Sequence, residues 1–379
     1  MNDTRPRTVL VIGGGASGNA VTVLLQRAGI AVELVEAKSD WNVLGSGITL
    51  QGNALRVLRE VGVWDKVRES GYAVDDVGLA APNGAVFHVQ QDIRTGGDDL
   101  PPIFGMQRPR LQEILCEAVR ESGAAVRLGT TAEELVQDAS GVTARFSDGT
   151  EGRYDLVIAA DGVSSRTRAM IGISDKPEPT GMAIWRAPAP RPEGVERMTL
   201  SYGGTCYIAG YCPTSENTIY AYLVEANRDR ASIDPASYAD EMRRLAAPYG
   251  GAWPEIAASI TDPAKVNYTW FNRLLVESSW HRGRVVLIGD AAHVCPPTLA
   301  QGAAMSLEDA SVLAEMLSEE QDWSSLDALL TGFYARRIDR VRTVVEASVQ
   351  LGQWQLDGVR DADASGLMGR TMSVLKETP

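Results

Sequence analysis

The sequence predicts an α/β protein whose parallel-sheet domain is interrupted by an antiparallel sheet and completed by C-terminal helices. Three observations carry that prediction. A glycine cluster joins an apolar strand to an amphipathic helix near the N-terminus. The middle of the chain holds closely spaced strands with no helices between them, and helical periodicity dominates the end.

Thr8–Ile12 is a continuous apolar run suited to a strand buried on both faces. Gly13-Gly14-Gly15-Ala16-Ser17-Gly18 then turns the chain into a helix. Ala20, Val23, Leu24 and Ala28 recur at helical spacing until Gly29 stops it. A second strand over residues 31–35 ends at Glu36. In such a unit Gly13 permits the tight turn, Gly15 lets a pyrophosphate approach the backbone, and Gly18 lets helix and strand pack closely. The helix start at Ala16 and Ser17 offers unpaired N–H groups and a positive dipole to phosphates. Glu36, 18 positions beyond Gly18 and followed by Ala37, can accept the protons of ribose hydroxyls. These features predict a Rossmann-like dinucleotide site. They do not separate FAD from NAD.

Residues 50–71 read as helical, with Leu55, Leu58, Val61 and Val67 on one face. Residues 74–89 hold strand-like pieces around an Asn83-Gly84 turn. Arg108–Glu121 is predicted helical from Leu111, Leu115 and Val119, and short strands follow over 126–128, 142–146 and 156–159. Between residues 182 and 224 strand-like runs alternate with Gly-Gly and Ser-Glu-Asn turns, the signature of an antiparallel sheet. A helix over 236–249, a buried-type strand over 284–288 and two long helical stretches complete the chain. The expected organisation is a nucleotide-binding part over 1–180, with strands near 72–105 given to the middle sheet. A mainly antiparallel substrate-binding sheet follows over 181–275, and residues 276–379 complete the first domain and add the C-terminal helices.

Composition narrows the function classes. With 36 basic and 49 acidic residues the formal charge is -13, which opposes binding to nucleic acid or to anionic membranes. The four cysteines, Cys116, Cys206, Cys212 and Cys295, lack CxxC spacing, so neither a disulfide framework nor a zinc site is expected, and a reducing cytoplasm fits. The first apolar run is too short for a secretion signal or a membrane span. His88, His281 and His293 are the only histidines, which argues against metal chemistry and Ser-His-Asp catalysis.

Two further segments carry charge where packing does not require it. Residues 155–168 run from a buried strand into Asp161-Gly162, and residues 283–293 into Gly289-Asp290-Ala-Ala-His293, followed by Pro296-Pro297 and Ala300-Gln301-Gly302-Ala303. Together with the glycine cluster, in this order and spacing, the sequence resembles the class A flavoprotein monooxygenases of the p-hydroxybenzoate hydroxylase superfamily over nearly its whole length. The resemblance implies FAD as cofactor and NADH or NADPH as co-substrate. It places Asp161 in the segment serving flavin and nicotinamide, Gly289 and Asp290 at the ribityl chain, and Gly302 and Ala303 at the isoalloxazine ring. Arg108 matches the family arginine near the ribityl and pyrophosphate groups, and Gly45-Ser46-Gly47-Ile48, with Asn53, matches the flavin-lining segment. Ala300 stands where many members have glycine, which points to the branch with salicylate hydroxylase and 6-hydroxynicotinate 3-monooxygenase. The asparagine other members carry in Ala303-Ala304-Met305 is missing.

The implied activity is hydroxylation of a small phenolic or N-heteroaromatic ring, with dioxygen activated at the flavin C4a carbon. A phenolic ring reacts faster when ionised, so a base or proton relay is expected. His293, Tyr202 and Tyr211 are candidates for it, and Thr49, Tyr207, Tyr222 and Pro297 for contact with the ring. The competing reading for each is ordinary packing. Arg336, Arg337, Arg340 and Arg342 are expected on a solvated or salt-bridged helix face. The expected partners are a small aromatic substrate and O2, in a monomer or homodimer.

Overall fold

A computed structural model describes residues 7–41, 45–320, 322–323 and 326–379. Thr8–Ile12 lies inside a six-stranded sheet. Its order is His281–Arg282, Val285–Leu287, Leu156–Ala159, Thr8–Ile12, Ala31–Glu36 and Ala125–Leu128. All neighbours are parallel except the first pair. Val9 and Val11 face the large core shared with the helix Ala16–Arg27, while Leu10 and Ile12 face a second core. That core is closed by a three-stranded antiparallel sheet of Ala132–Asp138, Gly141–Phe146 and Glu151–Tyr154. Cover on both faces explains why the strand is apolar at every position.

An eight-stranded sheet stands beside it. Its order is His293–Val294, Asn267–Leu275, Glu178–Pro190, Thr218–Ala226, Ile208–Pro213, Met198–Ser201, Asp76–Ala80 and Val86–Gln91. Every pairing is antiparallel except Met198–Ser201 with Asp76–Ala80. Alternation along its strands separates two faces. Ala183, Trp185, Ala187, Tyr211 and Leu223 pack with the helices Tyr238–Ala246 and Trp253–Ser259. Ile184, Arg186, Tyr220 and Tyr222 share the other face, which meets the nucleotide part. A small sheet of Ile48–Gln51, Ile103–Met106 and Gly71–Val74 joins the two regions.

The observed elements depart from expectation in two places. Residues 50–71 are not one helix: the end of the strand Ile48–Gln51 leads into Gly52–Glu60, and Gly62, at φ +77°, breaks the path before Trp64–Glu69. The C-terminal region holds three helices rather than two: Gly302–Glu319, Leu326–Leu356 and Ala364–Lys376. Gly358, at φ +63°, turns the chain after the second, and the Asp363 side chain caps the third by accepting from the Gly366 N–H.

Candidate active site

The glycine cluster has the shape its sequence requires. Gly13 adopts φ +105°, and a Cβ there would lie 2.4 Å from the Ala160 carbonyl oxygen. A Cβ on Gly18 would lie 1.9 Å from the Gly13 oxygen, so helix and loop touch backbone to backbone. A Cβ on Gly15 would meet nothing within 4 Å. Gly15 is the N-cap of the helix, and no side chain caps it. Glu36 accepts from the Gly14 N–H at 2.8 Å and the Lys38 N–H at 2.9 Å, leaving lone pairs for ribose hydroxyls. Ala37 is exposed beside it.

Asp161 and Gly289 end the two strands next to this unit, so three loops meet at the carboxyl edge of one parallel sheet. The Asp161 carboxylate accepts from the Ser165 hydroxyl at 2.6 Å and from the Thr167 N–H at 3.0 Å, fixing the start of the short helix Arg166–Met170. Buried Arg168 ties this loop to the next, donating to the Ala291 carbonyl at 2.9 Å and the Val163 carbonyl at 3.1 Å. Gly289, at φ +59°, comes so close to the first helix that a Cβ would lie 2.9 Å from the Ser17 hydroxyl. Asp290 follows Gly289 in the short turn that ends this strand. Surrounding protein raises its pKa, while His293 and Arg108 pull it down.

His293 is buried, and its Nε2 lies 2.7 Å from Asp309. Its ring packs on Trp280. Asp309 also accepts from the Gly289 N–H at 2.8 Å, so the histidine and this loop are tied to one carboxylate. Arg337 donates to Asp309 at 2.8 Å and to Glu308 at 2.9 Å, and all three side chains are fully buried. Arg340 completes the network on Glu308 and donates to the carbonyls of Val374 and Leu375 in the last helix. Asn53 joins Glu308 to Gln301, at 3.0 Å from each. All four arginines are salt-bridged, but not on one face: Arg336 and Arg342 form ion pairs near the surface, while Arg337 and Arg340 pair inside the core.

The second wall belongs to the eight-stranded sheet. A Cβ on Gly47 would lie 2.5 Å from the Tyr220 Cβ, which places the Gly45–Ile48 segment against that sheet. Arg186, unnoticed in the sequence, donates to the Tyr220 hydroxyl at 3.0 Å and the Thr269 hydroxyl at 2.8 Å. A charge alternating with Ala183, Trp185 and Ala187 in an apolar strand was the available signal. Arg108 packs along Gly45, and among the described residues neither arginine is in an ion pair. Burial, then the approach of Arg186, lowers the pKa of Arg108, and Asp290 opposes the shift.

The aromatic candidates divide by strand parity. Tyr222 stacks on Tyr220 at 5.1 Å between centroids, and Tyr202 lies near enough to act on Tyr222. Tyr207 rests on the apolar group of Met182, Ile184, Val224 and Phe271. Tyr211, a candidate for the proton relay, lies on the opposite face of the sheet, packed onto Trp253 and away from Tyr220 and Tyr222. Thr49 hydrogen-bonds Cys212 where the small and large sheets meet, and Pro297 is exposed in the turn before Ala300. Gly302 and Ala303 open the helix that follows, half-buried at the cleft. Ala300 itself adopts φ +51°, the conformation for which glycine is the usual solution.

The residues present fit FAD. The space over Gly15 is clear, and Ser46 Oγ and Gln51 Oε1, in and beside the flavin-lining segment, are buried without a hydrogen-bond partner. The family model for the FAD-binding domain matches residues 7–348. The chain belongs to the class A FAD-dependent monooxygenases. This monooxygenase is 30% identical over 352 residues to aurachin C monooxygenase/isomerase of Stigmatella aurantiaca, covering 92% of the chain and 90% of the relative. It is 30% identical over 350 residues to 2-heptyl-3-hydroxy-4(1H)-quinolone synthase of Pseudomonas aeruginosa, again covering 92% and 90%. Its fold matches that of Klebsiella pneumoniae HpxO, crystallised with FAD and uric acid, with TM-score 0.85 at 23% identity over 98% of this chain and 97% of the other. Among the described residues of the monooxygenase, no helix is long and apolar enough to cross a membrane.

Proposed function

We propose that this monooxygenase hydroxylates a small phenolic or N-heteroaromatic ring, with NADH or NADPH as reductant and O2 as oxygen source. The observation that carries this reading is Arg186. It is held by Thr269 and by Tyr220, which itself packs on Gly47 of the flavin-lining segment, and is paired with no carboxylate among the described residues. A ring ionised at a hydroxyl or lactam group supplies the missing anion. Bound there, such a ring has its own pKa lowered and its carbons made electron-rich, as electrophilic oxygen transfer requires.

FAD, when bound, stores the electrons and activates dioxygen. The remaining work falls to side chains. Gly15, Ala16 and Ser17 receive the pyrophosphate, Glu36 and Ala37 the ribose, Arg108, Gly289 and Asp290 the ribityl region, and Gly47, Gly302 and Ala303 the flavin ring. Asp161 holds its loop in place. Tyr220 accepts from Arg186, so its own proton is free to be donated toward the cleft. Burial pushes Tyr202 up to about 12 and Tyr222 well above the usual tyrosine range, so at neutral pH these are donors, not bases. Met182, Ile184 and Phe271 with Tyr207 form an apolar wall that excludes water. Free cysteines throughout suit a cytoplasmic setting.

The test is a screen of hydroxylated pyridines, benzoates and 4-quinolones for stimulated NAD(P)H oxidation, with hydrogen peroxide measured alongside and product formed under 18O2. One labelled oxygen in the ring product supports the reading. Stimulated oxidation that yields an unlabelled, reduced product refutes it.

A further inference from the structure

We propose that Asn19, Trp41 and Gln112 are positioning residues that aim the Gly15 N–H at the pyrophosphate of FAD. Three side-chain donors converge on a single backbone acceptor, the Gly14 carbonyl. Asn19 Nδ2 donates at 3.0 Å, Trp41 Nε1 at 3.0 Å and Gln112 Nε2 at 2.6 Å. They come from the first helix, the segment after the second strand and the helix Arg108–Glu121, and all three residues are buried.

A peptide unit is planar and trans, so its C=O and N–H point in opposite directions. Fastening the Gly14 oxygen to one side therefore turns the Gly15 N–H to the other, and beside it a Cβ on Gly15 would meet nothing within 4 Å among the described residues. The Gly14 N–H, on the preceding peptide, is fixed separately by Glu36 at 2.8 Å. The same contact explains why position 14 is glycine. A Cβ there would lie 2.2 Å from the Trp41 ring nitrogen, so any larger residue displaces one of the donors. The donors are themselves braced. Gln112 and Asn19 also reach the Cys116 sulfur, at 3.4 and 3.8 Å, and the Arg120 guanidinium lies 5.3 Å from the centre of the Trp41 ring.

A carbonyl oxygen has two lone pairs, so three donors exceed what it needs. Trp41→Phe and Gln112→Leu singly leave it satisfied and should weaken FAD binding less than about threefold. The double variant leaves Asn19 alone and should weaken it about tenfold or more. FAD affinity is read by quenching of flavin fluorescence on titrating apoprotein, and the 31P NMR shifts of bound FAD report the pyrophosphate directly. Gln112→Glu separates positioning from packing. It keeps the shape but at pH 8 sets an acceptor against the Gly14 oxygen, so it should move the 31P signals and weaken FAD more than Gln112→Leu. A double variant that binds FAD with wild-type affinity and unmoved 31P shifts overturns the proposal. If the double variant does not fold, Gln112→Glu decides it: 31P shifts and affinity equal to wild type overturn the proposal equally.

Discussion

Arg337→Met places the buried charge network under the most direct stress. The substitution keeps an unbranched apolar stem and removes the cation that bridges Glu308 and Asp309, all three at 0% side-chain exposure. Taking one partner from a buried ion pair costs about 3–5 kcal/mol, because the remaining charge has lost its solvent and its counter-ion. Glu308 retains Arg340, and Asp309 retains His293 and the Gly289 N–H, which sets the lower end, about 3 kcal/mol. At about 2.1 cal/mol/K of unfolding entropy per residue, a chain of 379 residues loses about 4 °C in Tm. The matched control is Arg336→Met, one position away, whose guanidinium pairs with Glu315 near the surface and whose loss should move Tm by less than about 1 °C. Because Asp309 also holds the Gly289 N–H, Arg337→Met should release FAD more readily, read as free flavin fluorescence after gel filtration. Equal melting temperatures for the two variants, measured by calorimetry on apoprotein, refute the reasoning.

Four further outcomes follow from the geometry. Gly15→Ala should fold as the wild type but bind FAD more weakly, whereas Gly18→Ala should lower the apoprotein Tm as well, since its Cβ would press on the Gly13 carbonyl; Tm and flavin titration separate the two. Arg186→Met should retain the flavin spectrum while kcat/KM for an ionisable ring falls about 100-fold, the size expected when a charged hydrogen-bonding partner of about 3 kcal/mol is removed. Ala300→Gly should hold or raise Tm, and Ala300→Val should lower it by about 1–2 kcal/mol of stability, because φ +51° strains a β-branched residue most. Burial pushes the pKa values of Glu308 and Asp309 up, but Arg337 and Arg340 on the first, and His293 and Arg337 on the second, override it and hold both low. Their stabilising contribution is complete above the unfolded-state values of about 4 and is lost as pH falls through the folded-state values. Tm and flavin retention should therefore be level in these groups' response from pH 6 to 8 and decline in acid, which a pH series of melts checks.

The nucleotide unit was legible because each of its residues answers a local demand. Gly13 and Gly18 stand where a turn and a close approach need them, Glu36 holds the Gly14 N–H, and neighbours fixed by chain order are enough to see it. The helix Arg108–Glu121 and the strand Leu156–Ala159 were legible for the same reason: their periodicity is self-contained. What escaped depends on partners far along the chain. Arg337 and Arg340 fall on the stripe of Leu330, Phe333, Val341 and Val344, a register that marks them as core. Their acids lie about thirty residues earlier in a helix that is apolar on most sides, so the sequence left open whether the arginines were solvated or salt-bridged. Arg186 escaped because its significance comes from Tyr220 and Thr269, which only strand pairing brings beside it. The glycine at position 14 could not be explained without Trp41, because nothing in sequence spacing announces an indole over a backbone.

The sheet that carries the glycine loop draws its strands from both halves of the protein: Val285–Leu287 is laid down only after every strand of the eight-stranded sheet except His293–Val294 has been made. Synthesis must therefore pass residue 287 before that sheet can close.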